Sequence, residues 1–518
     1  MGAPKVGSRI PPLHRRGTDR STARCRPQRH LGSVGFADSS ASSSAGLVAG
    51  CGGLLGSHPN KPAASTASNA APSSSVQRGK PNEFSTSRPA PRARPAALAL
   101  MRVAVIGAGI VGVTTAYELG LRGHEVTVLE RRDSVAAEGS FAHAGIVAPG
   151  WIAPWAAPGL PGRLLRAWCG RAGTLQLSSR AALTQAPWLW QAWRAGRPAA
   201  HTSGRQALWR LAEFSRERLL ELTRQLELDY EQEPGCLVLL RSGRELDAAR
   251  PALALLREWG VGHELIDAVR CRQLEPAMAP ATRLHAAVHL PLDGVGNCRQ
   301  FAHLLKAEAQ KLGVRFRFQA TVQTIDAGRP TRLRLADGEI AAYDAVVVCA
   351  GAGAGELLRR MGLRLPLLAI QGCSVTAPIR HLDGQLPLVP RAAVIDARHG
   401  VAIVRLGDRI RVAGTAELGR TGALPAPRAL RTLYGVLDDW YPSAARTQAA
   451  QHWQGVSPTL PDGRPALGPS GADGVWVNAG HGEHGWALAC GSACLLAEQI
   501  SGRAAPLDAT GLAATRWR

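Results

Sequence analysis

The residues with the clearest chemical meaning are three glycines and one acid. Gly107, Gly109 and Gly112 have the spacing of a turn that brings backbone close to a pyrophosphate, and Glu130 follows about 20 residues later. Amides at a helix N-terminus would bind the phosphates, and the carboxylate would accept hydrogen bonds from a ribose. The pattern predicts a dinucleotide site rather than an ordinary glycine-rich turn.

The elements around this turn agree with that interpretation. The apolar run 103–106 predicts a strand, and a helical pattern then continues to Leu121 before Gly123 ends it. A second apolar run, 126–129, leads into Glu130. We therefore predict a cofactor site formed by Val103, Ala104, Val105, Ile106, Gly107, Ala108, Gly109, Ile110, Val111, Gly112, Val113, Thr114, Thr115, Ala116, Tyr117, Glu130 and Arg131.

Later segments predict further parts of this site. Residues 321–325 and 345–349 have the composition of strands, and the second run ends in small residues. Residues 474–500 again predict a strand, a glycine-rich turn and a helix, which can place amides near a large cofactor. These segments add Val322, Gly351, Gly480, His481, Gly482 and Gly485 to the predicted cofactor site.

The first hundred residues differ in composition from the rest. They are rich in Ser, Ala, Pro, Gly and Arg, and 14 basic against three acidic residues give them a charge of +11 out of the chain's +22. So little apolar surface cannot offset the entropy of ordering, and we expect disorder in residues 1–100. A transit peptide, a basic arm for anionic partners and a translation start at Met101 all fit, and we favour the last.

A region rich in tryptophan and arginine occupies residues 151–200. Two interpretations fit it: a helical layer whose tryptophans pack on the core, which we favour, or a face that contacts a membrane surface. Residues 206–228 predict one amphipathic helix, and residues 401–414 predict antiparallel strands. Cys490 and Cys494 share a helical face, but packed small residues explain them better than a metal site, and we predict none.

Several segments together resemble the flavoprotein subunits of D-amino acid dehydrogenases, a family within the D-amino acid oxidase superfamily. The resemblance covers nearly all of residues 101–518. Beyond the opening unit, the segments that carry it are 144–145, 149–150, 153–159, 409–414, 416–417, 461–463, 480–482, 485–486 and 489–492.

The resemblance implies FAD as the dinucleotide and an α/β fold of two domains. A Rossmann-like FAD-binding domain would be assembled from discontinuous segments, and a substrate domain would carry a mixed or antiparallel sheet. The expected boundaries are 101–150, 291–365 and 456–518 for the first domain, and 151–290 and 366–455 for the second.

The activity implied by the resemblance is oxidative deamination of a D-amino acid to a 2-oxo acid and ammonia. The partners implied are that substrate and an electron acceptor of the respiratory chain, with a peripheral membrane contact and no nucleic acid. The expected location is the cytoplasm or the cytoplasmic face of the membrane. A related amine dehydrogenase or oxidase for glycine-like, N-methyl or cyclic imino acids, and a flavin-binding paralogue with little activity, are the alternatives.

Several positions depart from the superfamily pattern. Ser457 stands where relatives usually have an arginine that pairs with the substrate carboxylate. Cys373 and His399 match positions that tend to be Tyr, and His143 matches an Asn. Another cation could replace the missing arginine, and we consider Arg391, Arg405 and Arg464. No protein base is required, so the catalytic residues are unknown, and the pocket candidates are His143, His399, Ser457, His481 and Trp486.

Overall fold

The computed structural model describes residues 100–169, 175–381, 388–418 and 425–517. The prediction of a disordered extension therefore falls on residues that lie, except for Leu100, outside the described part of the chain. Among the described residues, no helix combines the length and apolar character needed to cross a bilayer.

The described residues form two groups of regular elements. The strands are β1 (Arg102–Ile106), β2 (Glu125–Leu129), β3 (Ile146–Val147), β4 (Leu175–Leu177), β5 (Glu233–Leu240), β6 (Glu264–Asp267), β7 (Ala286–Val295), β8 (Arg315–Arg317), β9 (Val322–Asp326), β10 (Thr331–Leu335), β11 (Ile340–Tyr343), β12 (Ala345–Val348), β13 (Leu368–Pro378), β14 (Ala393–Asp396), β15 (Val401–Leu406), β16 (Arg409–Leu418), β17 (Gln451–Thr459), β18 (Ala466–Pro469) and β19 (Val475–Ala479). The helices are α1 (Ile110–Leu121), α2 (Leu160–Trp168), α3 (Ser179–Thr184), α4 (Ala186–Ala195), α5 (Pro198–Gln225), α6 (Gly243–Glu258), α7 (Ala268–Leu274), α8 (Cys298–Lys311), α9 (Ala354–Arg360), α10 (Pro427–Trp440) and α11 (Gly485–Ile500).

A six-stranded sheet of order β18-β19-β12-β1-β2-β8 carries the predicted dinucleotide unit. Its strands are parallel except for β18, which runs antiparallel to β19. Parallel neighbours need crossover connections, so strands distant in sequence, such as β1, β12 and β19, end side by side. Their carboxyl ends therefore bring the three predicted turns to one edge of the sheet, where α/β folds bind ligands.

Two layers cover the faces of this sheet. Val103 and Val105 point to helices α1, α5, α8 and α11, where Phe301 and Trp486 complete one core cluster. Ala104 and Ile106 point the other way, to the three-stranded sheet β11-β10-β9 and a second cluster that includes Leu333. Side chains alternate across a strand, so an apolar run buried on both faces is what this position requires.

A ten-stranded sheet forms the other half of the fold. Its order is β17-β13-β16-β15-β14-β5-β7-β3, with β4 beside β16 and β6 beside β7. Val375, Ile403 and Val412 face α7 and α10, whose Leu433 and Trp440 belong to the same core cluster. Residues that alternate with these, such as Ser374 and Arg411, therefore point to the opposite face.

The predicted domain boundaries can be compared with these sheets. β3 lies in the predicted FAD-binding segment 101–150, yet it pairs with β7 in the ten-stranded sheet. The boundaries near 290 and 455 fall inside β7 and β17. Residues Ala90–Arg518 form one unit by their contacts, so the division into two domains stays a prediction.

The local predictions outside the dinucleotide unit are met with small shifts. The helix predicted for residues 206–228 begins at Pro198, since proline fits the first turn of a helix, and it ends at Gln225. In the tryptophan-rich region Trp188 is buried, but Trp168, Trp190 and Trp193 are exposed. The packing interpretation therefore holds for only part of this region.

Small residues allow α11 to lie close to α5. A Cβ on Gly491 would come within 2.8 Å of Cα and Cβ of Ser215, which is buried. We expect Gly491→Ala to lower the free energy of unfolding by about 1–3 kcal/mol, because the added methyl has no space. Urea denaturation of both proteins measures the difference.

A glycine in an open position provides the matched control. Gly435 lies in α10 and is exposed, and a Cβ there would meet no atom within 4 Å. Gly435→Ala should raise the free energy of unfolding by about 0.5–1 kcal/mol, because alanine restricts the unfolded chain. Changes in the free energy of unfolding that have the same sign in both variants would contradict the close packing of α5 and α11.

Candidate cofactor and substrate site

A cavity of about 970 Å³ lies at the carboxyl ends of β1, β2, β12 and β19. Most predicted residues of the turns and several pocket candidates line it: Ile106, Gly107, Gly109, Ile110, Val111, Glu130, Arg131, His143, Val322, Gly351, Ser457, Gly480, His481, Gly482, Gly485 and Trp486. The structure thus brings together segments that are up to 380 residues apart in the chain, as from Ile106 to Trp486.

The other predicted cofactor residues support this cavity from behind. The side chains of β1 point into the two sheet faces, and the later turns of α1 pack on α8 and α11. They include Val103, Ala104, Val105, Ala108, Gly112, Val113, Thr114, Thr115, Ala116 and Tyr117, which do not line the cavity. Thr115 still contributes indirectly, because its hydroxyl accepts a hydrogen bond from Asn478 in the cavity wall at 3.0 Å.

The turn at Gly107 has no space for side chains. Gly107 has a φ of +102°, and a Cβ there would lie 2.7 Å from the carbonyl oxygen of Cys349. A Cβ on Gly112 would overlap the carbonyl of Gly107 at 1.9 Å. The glycines therefore let strand, turn and helix approach one another as the sequence predicts, and they leave backbone as the surface of the cavity.

The N-terminus of α1 opens into the cavity beside one hydroxyl. The Ile110 amide donates to Oγ of Ser140 at 3.1 Å, and both residues line the cavity. The unpaired amides and the dipole of a helix N-terminus favour a phosphate. Ser140 is absent from the sequence-predicted site because it lies in the loop after β2, where no periodic pattern marks it.

Glu130 is positioned by backbone at the same end. Its two oxygens accept hydrogen bonds from the amides of Ala108, at 2.6 Å, and Arg132, at 2.8 Å. The carboxylate is buried at the cavity wall and retains lone pairs for a ribose hydroxyl. Arg131, which lies beside it, pairs with Glu138 at 2.6 Å near the surface.

The opposite end of the cavity has neutral side chains. Burial lowers the pKa of His481 to about 3, and its Nε2 lies 3.1 Å from the Ser492 hydroxyl. Burial also lowers the pKa of His143, whose Nε2 contacts the Glu483 carbonyl at 3.0 Å. Both imidazoles are therefore uncharged at neutral pH, and Ser457 adds only a hydroxyl to this wall.

One buried cation approaches this end from the ten-stranded sheet. Arg411 on β16 donates from Nη1 to the His143 carbonyl at 2.8 Å and from Nε to the Thr376 hydroxyl at 2.9 Å. It forms no ion pair with the carboxylates that the structure describes. Burial, followed by the charge of Arg409, lowers the pKa of Arg411 to about 10. Sequence patterns did not identify Arg411, because its burial depends on the pairing of distant strands.

The cations considered from the sequence lie elsewhere. Arg464 pairs with Asp462 at 2.8 Å, Arg405 donates to the Gly407 carbonyl at 3.0 Å, and the backbone of Arg391 donates to Glu275. None of the three lines the cavity or donates a side-chain hydrogen bond to a described residue that does, whereas Arg411, which also lies outside the lining, donates to His143. They therefore gain no support as replacements for an arginine at position 457.

His399 also lies away from the cavity. It follows β14 and donates its backbone amide to Asp396 at 3.0 Å, with its ring Nδ1 at 3.1 Å from the same oxygen. Asp396 is fully buried and also accepts from Trp440 and Arg241, both at 2.7 Å. This tertiary ion pair determines the position of His399 and removes its support as a pocket residue. Cys373 likewise packs in the core against α10.

The cavity fits a flavin dinucleotide in size and chemistry. Its volume lies near the upper end of the range for large ligands, about 300–1,000 Å³. Backbone and a helix N-terminus at one end suit phosphates, and a carboxylate suits a ribose. Asn478 in the cavity wall has a buried Oδ1 without a hydrogen-bond partner among the described residues. A hydrogen-bond donor of a bound ligand would satisfy this oxygen.

Comparison with known proteins agrees with this geometry. The sequence model of the family "FAD dependent oxidoreductase" matches residues 102–499, and that of "Pyridine nucleotide-disulphide oxidoreductase" matches residues 55–144. The D-amino acid dehydrogenase of Cereibacter sphaeroides is 39% identical over 421 residues, which cover 80% of this chain and 95% of that protein. The D-amino acid dehydrogenase of Methylobacterium nodulans is 40% identical over 422 residues, 80% of this chain and 99% of that protein.

Solved structures show the same fold at lower identity. The glycine oxidase of Geobacillus kaustophilus superposes with a TM-score of 0.61 at 23% identity, over 80% of this chain and 99% of that one. The L-proline dehydrogenase of P. horikoshii superposes with a TM-score of 0.60 at 19% identity, over 80% of this chain and 97% of that one. The family match over residues 102–499 and the two relatives near 40% identity agree, and the chain belongs to the FAD-dependent oxidoreductases, in the group of the D-amino acid dehydrogenases.

Proposed function

We propose that this protein binds FAD in the cavity and oxidatively deaminates D-amino acids to 2-oxo acids and ammonia. The observation that carries the proposal is the 39% identity to a D-amino acid dehydrogenase over 95% of that protein's length. The cavity supports it, because a glycine turn without space for a Cβ, an open helix N-terminus and a buried acid stand in the order that a dinucleotide requires.

Two electrons and a proton leave the substrate in the first step. When bound, FAD supplies the acceptor for the hydride from the substrate Cα, which yields an imino acid that water then hydrolyses. The protein has to hold the Cα–H at the ring and keep the amine neutral. His143 and His481 stay uncharged at the substrate end, so neither repels the positive charge that develops on the imine nitrogen.

Apolar side chains close the substrate end of the cavity. Trp486 is 1% exposed and donates from Nε1 to the Gly145 carbonyl at 3.0 Å, which fixes the loop that carries His143. Trp453, which lines the opposite wall, stacks on Phe141 with ring centroids 4.3 Å apart. These rings support the proposal by limiting water near the reacting bond.

We assign the substrate carboxylate to Arg411. A buried guanidinium without a carboxylate partner is costly, and a substrate anion would remove that cost. Arg411 does not itself line the cavity, but its guanidinium donates to the carbonyl of His143 in the cavity wall, and Cys298, also in that wall, affects its pKa. The partly buried Arg163 on α2 is the competing cation: burial lowers the pKa of its guanidinium, and the charge of Glu483 opposes that shift.

The electrons are proposed to leave to a quinone of the respiratory chain in a membrane. This acceptor is consistent with the dehydrogenase names of the relatives and with the exposed tryptophan and arginine side chains of α2 and α4. A peripheral contact with a membrane would bring the reduced cofactor near such an acceptor.

Anaerobic titration of the flavin tests the substrate class. D-amino acids should bleach the flavin absorbance, because hydride transfer reduces the ring without any acceptor, whereas L-amino acids should leave it unchanged. Glycine, sarcosine and D-proline complete the panel. Bleaching by these amines alone would transfer the assignment to a sister enzyme, and a yellow protein that no amine bleaches would contradict the catalytic proposal while leaving FAD binding intact.

Substitution of Arg411 tests the carboxylate assignment. Arg411→Gln should lower kcat/KM for D-amino acids about 10- to 100-fold, mainly through KM, because a charged hydrogen bond contributes about 1.5–3 kcal/mol. Arg411→Lys keeps the charge, and its kcat/KM should lie between those of the unchanged protein and Arg411→Gln. The change in flavin absorbance on adding benzoate measures carboxylate binding without turnover, and flavin content verifies that each variant is folded.

Arg163→Gln is the matched control on the neighbouring cation. It should leave benzoate binding within about twofold, because Arg163 does not line the cavity and, among the described residues, no hydrogen bond joins it to the cavity wall as one joins Arg411 to His143. Loss of benzoate binding in Arg163→Gln, with normal binding in Arg411→Gln, would overturn the assignment in favour of α2.

A further inference from the structure

Helices α2 and α4 carry all of the large exposed tryptophans that the structure describes. Trp168, Trp190 and Trp193 are 58%, 54% and 41% exposed. Leu165 on α2 is also 58% exposed. We call this surface the basic tryptophan face, defined by Leu165, Arg166, Trp168, Trp190, Trp193, Arg194 and Arg197. Helices α2 and α4 share one buried cluster, and exposed apolar side chains on such neighbouring elements indicate a contact surface.

The charge of this region has one sign only. Residues 151–200 contain six arginines and no aspartate or glutamate. On α4 the guanidinium of Arg194 lies 4.8 Å from the Trp190 ring centroid, and that of Arg197, just beyond the helix, lies 5.0 Å from Trp193. Amphipathic rings beside arginines are the side chains that proteins place at lipid headgroups.

The fold does not need these tryptophans for its core. Helices α2, α3 and α4 pack on a cluster that includes Leu160, Trp188 and Ala192 and also contains residues of β13 and β16. Trp188 also donates from Nε1 to the Pro366 carbonyl at 3.0 Å, which fixes α4 to the loop before β13. The exposed rings are therefore held on a rigid support, and core packing gives no reason for them.

A second cavity, of about 530 Å³, borders α4 at Gln191. Arg359 and Arg364 line it from α9 and the loop that follows, and neither forms an ion pair with any carboxylate that the structure describes. Trp517 adds a buried indole N–H without a hydrogen-bond partner among the described residues. Arg516 also lines the cavity but pairs with Asp462 at 3.0 Å. Free donors and uncompensated cations around one space suit a phosphate group.

The cavity and the face adjoin along α4. Arg194 lies three residues after Gln191, so the two side chains are neighbours on the helix surface. A phosphate in the cavity would thus lie beside the Arg194–Trp190 pair.

We propose that the basic tryptophan face rests on an anionic phospholipid bilayer and that the cavity of Arg359 and Arg364 binds a phospholipid headgroup phosphate. This inference deepens the proposed function, because it specifies the surface that would meet the membrane acceptor. Its evidence is independent of the substrate, and its test uses binding rather than turnover.

Flotation of the full chain with vesicles tests the inference. Phosphatidylcholine vesicles that contain phosphatidylglycerol should bind the protein, and pure phosphatidylcholine vesicles should bind it far more weakly. Arg359→Gln together with Arg364→Gln should lower the partition coefficient about 30-fold, since each arginine near an anionic surface contributes a factor of about five. Trp190→Ser together with Trp193→Ser should lower it at least tenfold, through the apolar area that no longer enters the interface.

Matched controls remove the same groups elsewhere. Arg332 and Arg334 are exposed on β10, and Arg332→Gln with Arg334→Gln removes equal charge from another surface. Leu292→Ser removes an apolar side chain that is 65% exposed. Both controls should keep vesicle binding within about threefold. Turnover with a soluble electron acceptor should be equal in all variants, which verifies that each is folded.

Three results would overturn the inference. Equal losses in the control and pocket variants would mean that net charge alone drives binding. Undiminished binding in both test variants would assign the membrane contact to other residues, such as 1–99. The third result combines two observations on the Arg359→Gln, Arg364→Gln variant. Inorganic phosphate would raise the melting temperature of the unchanged protein but not that of the variant, and the variant would still bind vesicles normally. The cavity would then be a site for free phosphate rather than for a lipid headgroup.

Discussion

The absence of a Cβ at Gly107 and Gly112 is the constraint on which the rest of the structure depends. Any side chain at Gly112 would overlap the Gly107 carbonyl, and one at Gly107 would meet the carbonyl of Cys349 at the end of β12. The strand, the helix and the neighbouring strand can therefore approach one another only at this turn. Because they do, backbone amides rather than side chains face the cavity, and the phosphate-binding surface and the sheet edge are one feature.

Buried charged groups in this molecule differ in whether an opposite charge lies beside them. Two buried acids have cationic partners: Glu118 pairs with Arg122 and Arg218, and hydrogen bonds from His399 and Trp440, together with the Arg241 guanidinium, hold the pKa of Asp396 well below its usual range. Among the described residues, Arg411 has only a hydroxyl and a carbonyl as hydrogen-bond partners, and it is buried. Burying a cation without an opposite charge is unfavourable unless an anionic ligand pairs with it. An anion is therefore expected to bind at the cavity wall near Arg411.

The outer surface repeats this contrast. Several exposed arginines on or near the six-stranded sheet have acidic partners, as Arg317 has Glu339 at 2.7 Å and Arg360 has Glu356 at 2.6 Å. Around α4 the arginines have aromatic rings and no acids in the same stretch of sequence. An arginine whose charge is balanced by a neighbouring acid suits a surface that faces solvent. An arginine that stacks on tryptophan keeps its positive charge available to an anionic surface. The same residue type thus has a structural role in one place and a contact role in the other.

The sequence by itself determined the elements whose signals are local. Hydrophobic periodicity, glycine spacing and the terminal acid predicted β1, the turn, α1 and β2, which the structure contains. The structure adds a contact that the pattern did not predict, the hydrogen bond from the Ala108 amide to Glu130 at 2.6 Å. Only the tertiary structure decided which side chains meet across the two sheets. His399 is held by a hydrogen bond to Asp396, while Arg411, not among the cations considered from the sequence, reaches His143 across 268 positions. The reason is physical: backbone geometry is fixed by neighbours in the chain, whereas burial and charge pairing depend on strand order and register, which no local pattern contains.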